Sequence, residues 1–415
     1  MRLRYLARMN PADPAPSSIP PYRASLPAAF ACLLLATAVW LACVHHLFTQ
    51  PVATFSTDSG IPPHARALAE RQLDLWATPD LKAGELNRIR RSNAEWDFMG
   101  RSFFVWSLAE LCLREPASAP RYLAAMDTVI DETLQLETEM GMTVFLMPYA
   151  KFRPFVVRPA RSLFVDGEIT LMLAARCAVS PHEGYRAALQ TRVNDIVARL
   201  QASPLGIAES YPDECWMFDH AVALAAIRLA DHVEGHSAHA DFLADWLAQA
   251  RTRWIDPATG LLVSSFSTAG DIGDGSEGSS IWGTLHFLSV IDPAFARAQY
   301  ALARREFRRD LAGFAWSREW PRSCRGQNDI DAGMVIPGLD ISAGGSGMAF
   351  LGASTFGDTD YLSRLHATLD FAAFPIHDHG RLRYGASNLV GDAVMLYAGV
   401  LGPLWHQVNP ATRHP

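Results

Sequence analysis

The sequence has little charge and few basic residues beyond its N-terminal segment. Only 19% of the 415 residues are charged, the formal net charge is −7, and no run rich in lysine and arginine follows the first residues. A protein that neutralises nucleic-acid phosphates needs a basic surface, so we do not expect nucleic acid as a partner. With 49% of its residues hydrophobic, the chain is instead long and apolar enough to bury a large core.

Several motifs that mark known chemistry are also missing. The sequence has no G-x-S-x-G elbow and no glycine-rich loop that would cradle phosphates, which argues against a serine hydrolase or a nucleotide enzyme. Acidic residues at Asp271, Asp274 and Glu277 do not follow the EF-hand order. The segment HDHG at 377–380 is more typical of a polar turn than of a metal site. We therefore predict no metal site.

Cysteine is scarce, with six in the chain. Cys215 and Cys324 lie in polar loops, where an oxidising compartment permits a bridge that no spacing pattern demands. The others lie in apolar runs typical of buried or membrane-embedded thiols: Cys32, Cys43, Cys112 and Cys177.

One stretch without charge, residues 26–48, has the length of a transmembrane helix. Four arginines precede it and the next basic residue is Arg66, so the positive-inside bias predicts a cytoplasmic N-terminus and a domain outside, in the periplasm of a bacterium. We predict a single-pass membrane anchor. A cleaved signal peptide and a lipoprotein signal acylated at Cys43 are the alternatives.

After the anchor, apolar residues recur at three- and four-residue spacing, whereas alternating strand patterns are limited to Thr143–Met147 and Leu261–Phe266. Helices in sequential pairs predict an all-α domain, a toroid of helical hairpins of the (α/α)6 barrel type. The predicted divisions are a cytoplasmic tail (1–25), a transmembrane anchor (26–48), a linker (49–63) and the barrel domain (64–410). The predicted helices include Arg101–Leu113, Ala119–Leu136, Arg161–Ala178, Glu183–Leu200, Cys215–His232, Ala238–Trp254, Ser279–Val290, Pro293–Leu311, Ser346–Phe356, Asp360–Phe371 and Asp392–Trp405.

Polar and aromatic residues concentrate in five segments, which a helical toroid would bring to one mouth. These segments are Glu95–Arg101, Phe164–Glu168, Glu209–His220, Asp274–Trp282 and Arg383–Asp392.

Acidic residues in these segments have two interpretations. Asp213, in the sequence YPDECW, starts a helix and is either a site residue or an N-cap. Asp166 and Glu168 precede a very apolar helix, where the helix dipole favours acids without any catalysis. In an apolar pocket, however, a carboxyl group with a raised pKa exchanges protons near neutral pH. Asp97, between two aromatic residues, is a candidate of the same kind.

The order of motifs resembles the linalool dehydratase/isomerase family over most of the domain. The resemblance is carried by FVDGEITLML, IAESYPDECWMFDHAVALAAIRLADHVEG, WLAQARTRWIDPATGLLVSSF, VIDPAFARAQYALARREF, DISAGGSGMAFLGA and LRYGASNLVGDAVMLYA. It implies an (α/α)6 barrel in the periplasm that adds or removes water and shifts a double bond in a small isoprenoid alcohol. It also implies acid/base catalysis without metal or organic cofactor, and a ring-like homo-oligomer as a possible assembly.

The chain departs from this family where the chemistry takes place. The family's two pocket cysteines correspond here to Ser210 and Asp219, and its pocket histidine corresponds to Glu168. We predict Glu168 and Asp219 as the acid/base pair, with Asp97 and Asp213 as further catalytic candidates that orient the substrate. The predicted substrate contacts are Tyr211, Trp216, Ser210, Cys215, His220, Trp96, Trp282 and Tyr384.

The sequence thus supports three functional hypotheses. The first is a membrane-anchored, cofactor-independent lyase or isomerase that acts on a small apolar alcohol. The second is a carbohydrate-active enzyme, because helical toroids with loops rich in tryptophan and acidic residues often act on glycans. The third is a scaffold or binding protein without catalysis, since the family's thiols are replaced.

Overall fold

The computed structural model describes residues 25–323 and 333–412. The predicted cytoplasmic tail, apart from Ser25, and Cys324 with its suggested disulfide lie outside the described residues. The chain divides into two compact units between Val44 and His45.

The first unit contains helix α1, Leu26–Val44, which is exposed along almost its whole length. The segment Leu26–Leu47 is long and apolar enough to cross a membrane, although a signal sequence near the N-terminus has the same properties. The prediction of an apolar N-terminal helix is therefore confirmed. The side of the membrane on which the domain lies stays a prediction.

The second unit starts at His45, in the last residues of the predicted anchor (26–48), and continues through the segment that we interpreted as a linker (49–63). Two short 3-10 turns, His45–Leu47 and Val52–Thr54, lead to Phe55. The Phe55 ring is buried and stacks on His366, with 4.1 Å between the ring centroids. Because aromatic burial of this kind is stabilising, this part of the segment belongs to the packed domain.

Helices account for most of the second unit, since apolar residues at helical spacing give each of them a buried face. Their bounds are α2 Pro63–Ala77, α3 Pro79–Ser92, α4 Ala94–Arg114, α5 Ala119–Met140, α6 Leu163–Val179, α7 Glu183–Ala202, α8 Met217–Glu234, α9 Ala240–Arg253, α10 Gly278–Ser289, α11 Pro293–Phe307, α12 Ala343–Thr355, α13 Thr359–Ala372, α14 Leu389–Val400 and α15 Pro403–Val408.

Six of these helices form a closed inner ring. Each of α4, α6, α8, α10 and α12 contacts the next in that order, α12 contacts α14, and α14 packs back on α4. Each inner helix also contacts an outer partner: α5, α7, α9, α11, α13 and, for α14, α2. Six inner and six outer helices in a closed ring are an (α/α)6 barrel, so the predicted fold class is confirmed.

The inner helices run parallel to one another. Gly283, in the second turn of α10, lies against Phe218 at the start of α8 and Met348 in the second turn of α12, where an added Cβ would come within 2.6 Å of both side chains. Gly167, in the second turn of α6, lies against Ala223 in the second turn of α8, where an added Cβ would be 3.3 Å from the Ala223 Cβ. Because equivalent turns of neighbouring inner helices lie side by side, all the inner helices start at one end of the ring. We call this end the N-terminal mouth.

Large aromatic side chains fill the ring below this mouth. Trp106 of α4 packs edge-on against Phe287 of α10 on the opposite side, with 5.3 Å between the ring centroids. Phe103 and Tyr397 pack against the same indole. A dense layer of aromatic side chains therefore fills the centre of the barrel at this level.

Four two-stranded antiparallel sheets occur in the described residues, so the sheet content is small. The first candidate strand, Thr143–Met147, is wrong, because a 3-10 turn covers Met142–Val144. Of the second, Leu261–Phe266, only the last two residues form a strand. The sheets pair β1 Cys215–Trp216 with β2 Ser265–Phe266, β3 Arg308–Leu311 with β4 Phe314–Ser317, β5 Val335–Ile336 with β6 Ile341–Ser342, and β7 Pro375–Asp378 with β8 Arg381–Tyr384.

The last predicted helix, Asp392–Trp405, is in fact two helices. Gly402 adopts a φ of 130°, which residues with a side chain rarely adopt, and Pro403 starts α15 because its ring suits the first helical turn. The apolar periodicity continues across this break, so the pattern alone does not reveal it.

Candidate functional site

Three acidic side chains lie at the N-terminal mouth on three neighbouring inner helices. Glu95 lies in the first turn of α4, Glu168 in the second turn of α6 and Asp219 in the first turn of α8. We call them the mouth carboxylates. Glu168 is 1% exposed and Asp219 is 6% exposed. Buried carboxyl groups without a cationic partner favour the protonated form, so both are candidates for proton transfer.

Helix caps determine which side chains reach the mouth. The Asn93 side chain accepts a hydrogen bond of 3.1 Å from the Trp96 amide and so starts α4. The Ser162 hydroxyl accepts one of 3.4 Å from the Val165 amide and starts α6. These caps satisfy orphan amide groups and fix the first turns that carry Glu95 and Glu168.

Glu168 has one satisfied and one unsatisfied carboxyl oxygen. Its Oε2 accepts a hydrogen bond of 2.6 Å from the Ser102 hydroxyl on α4, whereas its Oε1 is buried without a hydrogen-bond partner among the described residues. Burial raises the pKa of Glu168 well above its ordinary value, and the negative charges of Asp219 and Glu95 raise it further. A carboxyl group whose pKa is raised in this way favours its protonated form, which is the form that can donate a proton.

Asp219 titrates near neutral pH. Burial raises the pKa of Asp219 to about 7, and the charge of Glu95 acts in the same direction, while the hydrogen bond from the Ser210 side chain opposes the rise. The three positions that the family resemblance singles out, Ser210, Asp219 and Glu168, are thus linked by a hydrogen bond and an electrostatic interaction. Their roles in catalysis stay predictions.

Tyr211 joins the mouth to the preceding loop. Its hydroxyl donates a short hydrogen bond to Glu95 and accepts one of 2.9 Å from the Met147 amide. Its ring stacks on Tyr149, with 4.9 Å between the centroids, and the Tyr149 hydroxyl donates to Glu214. Tyr149 is 38% exposed and offers an aromatic surface beside the mouth.

Asp213, predicted as catalytic, shapes a turn. Its φ of 60° is left-handed, a conformation that aspartate tolerates better than most residues. Its Oδ1 accepts hydrogen bonds from the hydroxyl and amide of Thr268, at 2.6 and 3.2 Å. Its own amide donates to Glu209, which also accepts from the amides of Val156 and Val157. These bonds hold the loop that carries Ser210 and Tyr211.

The other members of this loop are mostly buried. The Cys215 thiol is buried in β1, and burial raises its pKa, so it is not an activated thiolate. Both ring nitrogens of His220 are occupied: Nδ1 donates to the Trp216 carbonyl at 2.7 Å and Nε2 accepts from the Ala208 amide at 3.1 Å. Burial lowers the pKa of His220 to about 4, so a neutral His220 positions the start of α8. Trp216 itself is half-buried at the N-cap of α8.

Asp97 has cationic partners, whereas the contacts that raise the pKa of Glu168 and Asp219 are with hydroxyl groups and other acids. Its carboxylate forms ion pairs with Arg90 at 2.6 Å and Arg101 at 3.3 Å, and both Asp97 and Arg101 are buried. Each oxygen of the Asp97 carboxylate is thus bound by a guanidinium group. We therefore leave Asp97 out of the acid/base pair.

The remaining predicted substrate contacts do not form one group. Trp282 is 0% exposed and packs against Tyr361 and Phe307, while its Nε1 donates to the Ser317 hydroxyl at 3.0 Å. Trp96 and Tyr384 line a cavity of about 290 Å³ at the rim. The structure thus separates Trp282 from Trp96 and Tyr384, which the sequence placed in one group.

Sequence reasoning did not single out Glu95 or Ser102. Glu95 lies inside one of the five predicted polar segments, in which Asp97 was chosen instead. Its position in that segment was the signal that could have identified it. Ser102 is buried in an apolar run of α4, and only its hydrogen bond to Glu168 identifies it.

No group of three or more histidine, cysteine, aspartate or glutamate side chains in the described residues could hold a metal ion. In the acidic loop before α10, Asp274 accepts a hydrogen bond of 2.6 Å from the Ser265 hydroxyl. That carboxylate therefore stabilises the loop through β2.

Comparisons with known proteins assign no family to the chain. A scan against protein-family models gave no match, and neither did a search of the curated proteins. Among solved structures, the chain is similar to a selenomethionine derivative of a GH76 α-mannanase of Bacteroides thetaiotaomicron, at 13% identity and a TM-score of 0.45. The match covers 73% of this chain and 84% of the mannanase. The resemblance to linalool dehydratase/isomerases stays a hypothesis.

Proposed function

We propose that the protein is a general acid/base enzyme that breaks a carbon–oxygen bond, a lyase or isomerase acting on a small apolar alcohol. The observation that carries the proposal is the pair of buried carboxyl groups Glu168 and Asp219, on neighbouring inner helices, each with a raised pKa. Such catalysis requires groups that keep or exchange protons near pH 7.

In the proposed reaction, Glu168 is the acid and Asp219 is the base. Glu168 gives its proton to the alcohol oxygen, the carbon–oxygen bond breaks with its electron pair leaving on water, and a carbocation remains. The Asp219 carboxylate removes a proton from the neighbouring carbon, and that C–H electron pair forms the double bond. Transfer of this proton from Asp219 back to Glu168 restores the site. Ser102 and Ser210 act as positioning residues through their hydrogen bonds.

An apolar substrate is favoured because the residues beside the acids are apolar. Phe98 starts the second turn of α4, Phe164 and Phe218 stand in the first turns of α6 and α8, and all three are buried. Burial is also the largest cause of both raised carboxyl pKa values. A dry site strengthens electrostatic interactions and protects a carbocation from water.

A carbohydrate-active enzyme is the second candidate, and the exposed ring of Tyr149 favours it. Sugar rings pack their apolar C–H face on aromatic side chains, and Tyr149 lies next to Tyr211 and the mouth. Two carboxyl groups are also the requirement for glycoside hydrolysis. The likeness to an α-mannanase makes manno-oligosaccharides the probe for this candidate.

The test incubates the full chain in detergent with isoprenoid alcohols or with manno-oligosaccharides in ¹⁸O-labelled water, and analyses products by mass spectrometry. We expect an alkene or an isomerised alcohol from the first group, absent with Glu168→Gln. Hydrolysis of the oligosaccharides alone would instead support the second candidate. Turnover of neither group would contradict both and leave a binding or scaffold role.

We also propose that α1 anchors the chain and that the barrel lies outside the cytoplasm. The arginines before α1 and their absence for many residues after it support this orientation. A C-terminal alkaline phosphatase fusion should be active and a C-terminal green fluorescent protein fusion dark. The reverse result would place the barrel in the cytoplasm.

A further inference from the structure

The rim cavity of about 290 Å³ lies beside the first turn of α14, between α2, α3 and β8. Its volume is at the small end of the range for ligand pockets. Unlike the mouth, its wall is rich in charge. The charged residues that line it are Arg71, Glu85, Arg88, Arg383 and Asp392.

Two atoms of this wall are buried without a hydrogen-bond partner in the part of the chain that the structure describes. They are Oδ1 of Asp392 and Nη1 of Arg71. Asp392 is only 7% exposed, and the Ser387 side chain and the Tyr384 backbone bind its carboxyl group. Arg71 uses its other terminal nitrogen for an ion pair with Glu85. An unsatisfied buried polar group costs about 1–3 kcal/mol, so two in one cavity point to a missing ligand.

The charges of the wall favour an anionic ligand. Three guanidinium groups line the cavity against two carboxyl groups, and the Arg88 and Arg383 side chains are exposed at its edge. The N-terminal end of α14, which adjoins the cavity through Asn388 and Leu389, adds the favourable end of a helix dipole. Burial raises the pKa of Asp392 to about 7, so this group is partly protonated at neutral pH and can pair with a hydroxyl group.

We propose that this rim cavity binds a small hydroxylated carboxylic acid, with the ligand carboxylate on Arg71 and a ligand hydroxyl on Asp392. The guanidinium group supplies the donor that a carboxylate requires. The aspartate supplies the acceptor that a neighbouring hydroxyl requires. This assignment is independent of the proposed function, since neither Glu168 nor Asp219 lines the cavity.

Isothermal titration of the full chain in detergent with D-glucuronate tests this assignment, and neutral D-glucose is the matched control. We expect glucuronate to bind and glucose not to bind. Arg71→Lys keeps the positive charge next to Glu85 but removes the free second nitrogen, and should weaken glucuronate binding about tenfold or more. Asp392→Asn should also weaken it, and circular dichroism checks that both variants are folded.

Two results would overturn the assignment. One is equal binding of glucuronate and glucose, or binding of neither, by the unmodified chain, a measurement that needs no variant. The other is glucuronate binding that a folded Arg71→Lys protein retains unchanged.

Discussion

Two acids at the start of α6, Asp166 and Glu168, stand two residues apart and have opposite surroundings. Both are buried, at 3% and 1% exposure. Because two residues correspond to about 200° around a helix, their side chains leave on opposite faces. Asp166 faces the outer layer, where Arg161, Arg192 and Arg199 all pair with it. Glu168 faces the mouth, where its hydrogen-bond partner is the Ser102 hydroxyl.

The difference shows that burial alone does not identify a proton-transfer group. Asp166 belongs to a network of ion pairs that also contains Glu137, and such networks hold helices together. Glu168 lies in a dry environment with negative neighbours, and this raises its pKa. We therefore expect changes at Asp166 to affect stability and changes at Glu168 to affect catalysis.

The largest expected effect is that of Glu168→Gln on turnover. Loss of a general acid typically costs about 10²–10⁴-fold in rate, so the variant should be nearly inactive on any substrate that the full chain converts. Its thermal stability should equal or exceed that of the unmodified chain. Glutamine is neutral at every pH, whereas a buried glutamate must bind a proton to become neutral. Kinetics and thermal unfolding measure the two effects.

Infrared spectroscopy provides a check that does not depend on the substrate. The difference spectrum between the unmodified chain and Glu168→Gln at pH 7 should contain the C=O band of a protonated carboxyl group. If only a carboxylate band disappears, Glu168 is ionised and cannot be the acid.

The second effect concerns Asp166→Asn, which should reduce stability without reducing turnover per folded molecule. Removing one partner of a buried ion pair leaves uncompensated charge, and we expect a loss of about 3 kcal/mol in the free energy of unfolding. Glu70→Gln is the matched control, since its pair with Arg121 is exposed and should contribute less than about 1 kcal/mol. Equal losses of unfolding free energy in both variants would contradict the view that the Asp166 face of α6 is the stabilising one.

The sequence predicted the ring of helices because apolar spacing reports which face of each helix is buried. It did not separate Asp166 from Glu168, since both precede the same apolar run and both suit a helix N-terminus. Apart from Arg161, which lies five residues before Asp166, the partners that separate them come from α4, α5 and α7, distant in the chain. The pattern of residues around α6 does not show those distant partners.

The sequence also did not show the contacts that decide the roles of the other predicted site residues. Asp97 lies between two aromatic residues in sequence, which suggested a dry pocket, yet its ion pairs are with Arg90 and Arg101. Trp282 was placed at the mouth because its loop is polar, although the indole belongs to the core. Asp219 and Ser210 were identified through the family resemblance, and in the structure a hydrogen bond links their side chains.

The third effect concerns Asp219→Asn and the pH dependence of stability. The native pKa of Asp219, about 7, lies above the unfolded value near 4, so the native state binds this proton more tightly. The stability from that proton is complete below about pH 4 and is lost as the pH rises to about 7. Asparagine removes this loss, so the variant should gain about 4 kcal/mol over the unmodified chain at pH 8 relative to pH 4, since one pKa unit corresponds to about 1.4 kcal/mol. Urea unfolding at both pH values measures the gain, and parallel curves for the two proteins would contradict the raised pKa.

The smallest effect is that of Ser102→Ala. The Ser102 hydroxyl lowers the pKa of Glu168 by donating to it, so its removal should raise that pKa and move the alkaline limb of the pH–rate profile upward. Stability should fall by about 1 kcal/mol. Ser107→Ala is the matched control, because Ser107 is buried in the same helix and donates to the Phe103 carbonyl instead. A shift of the alkaline limb in Ser102→Ala alone links that limb to Glu168, whereas shifts in both variants, or in neither, would assign it to another group.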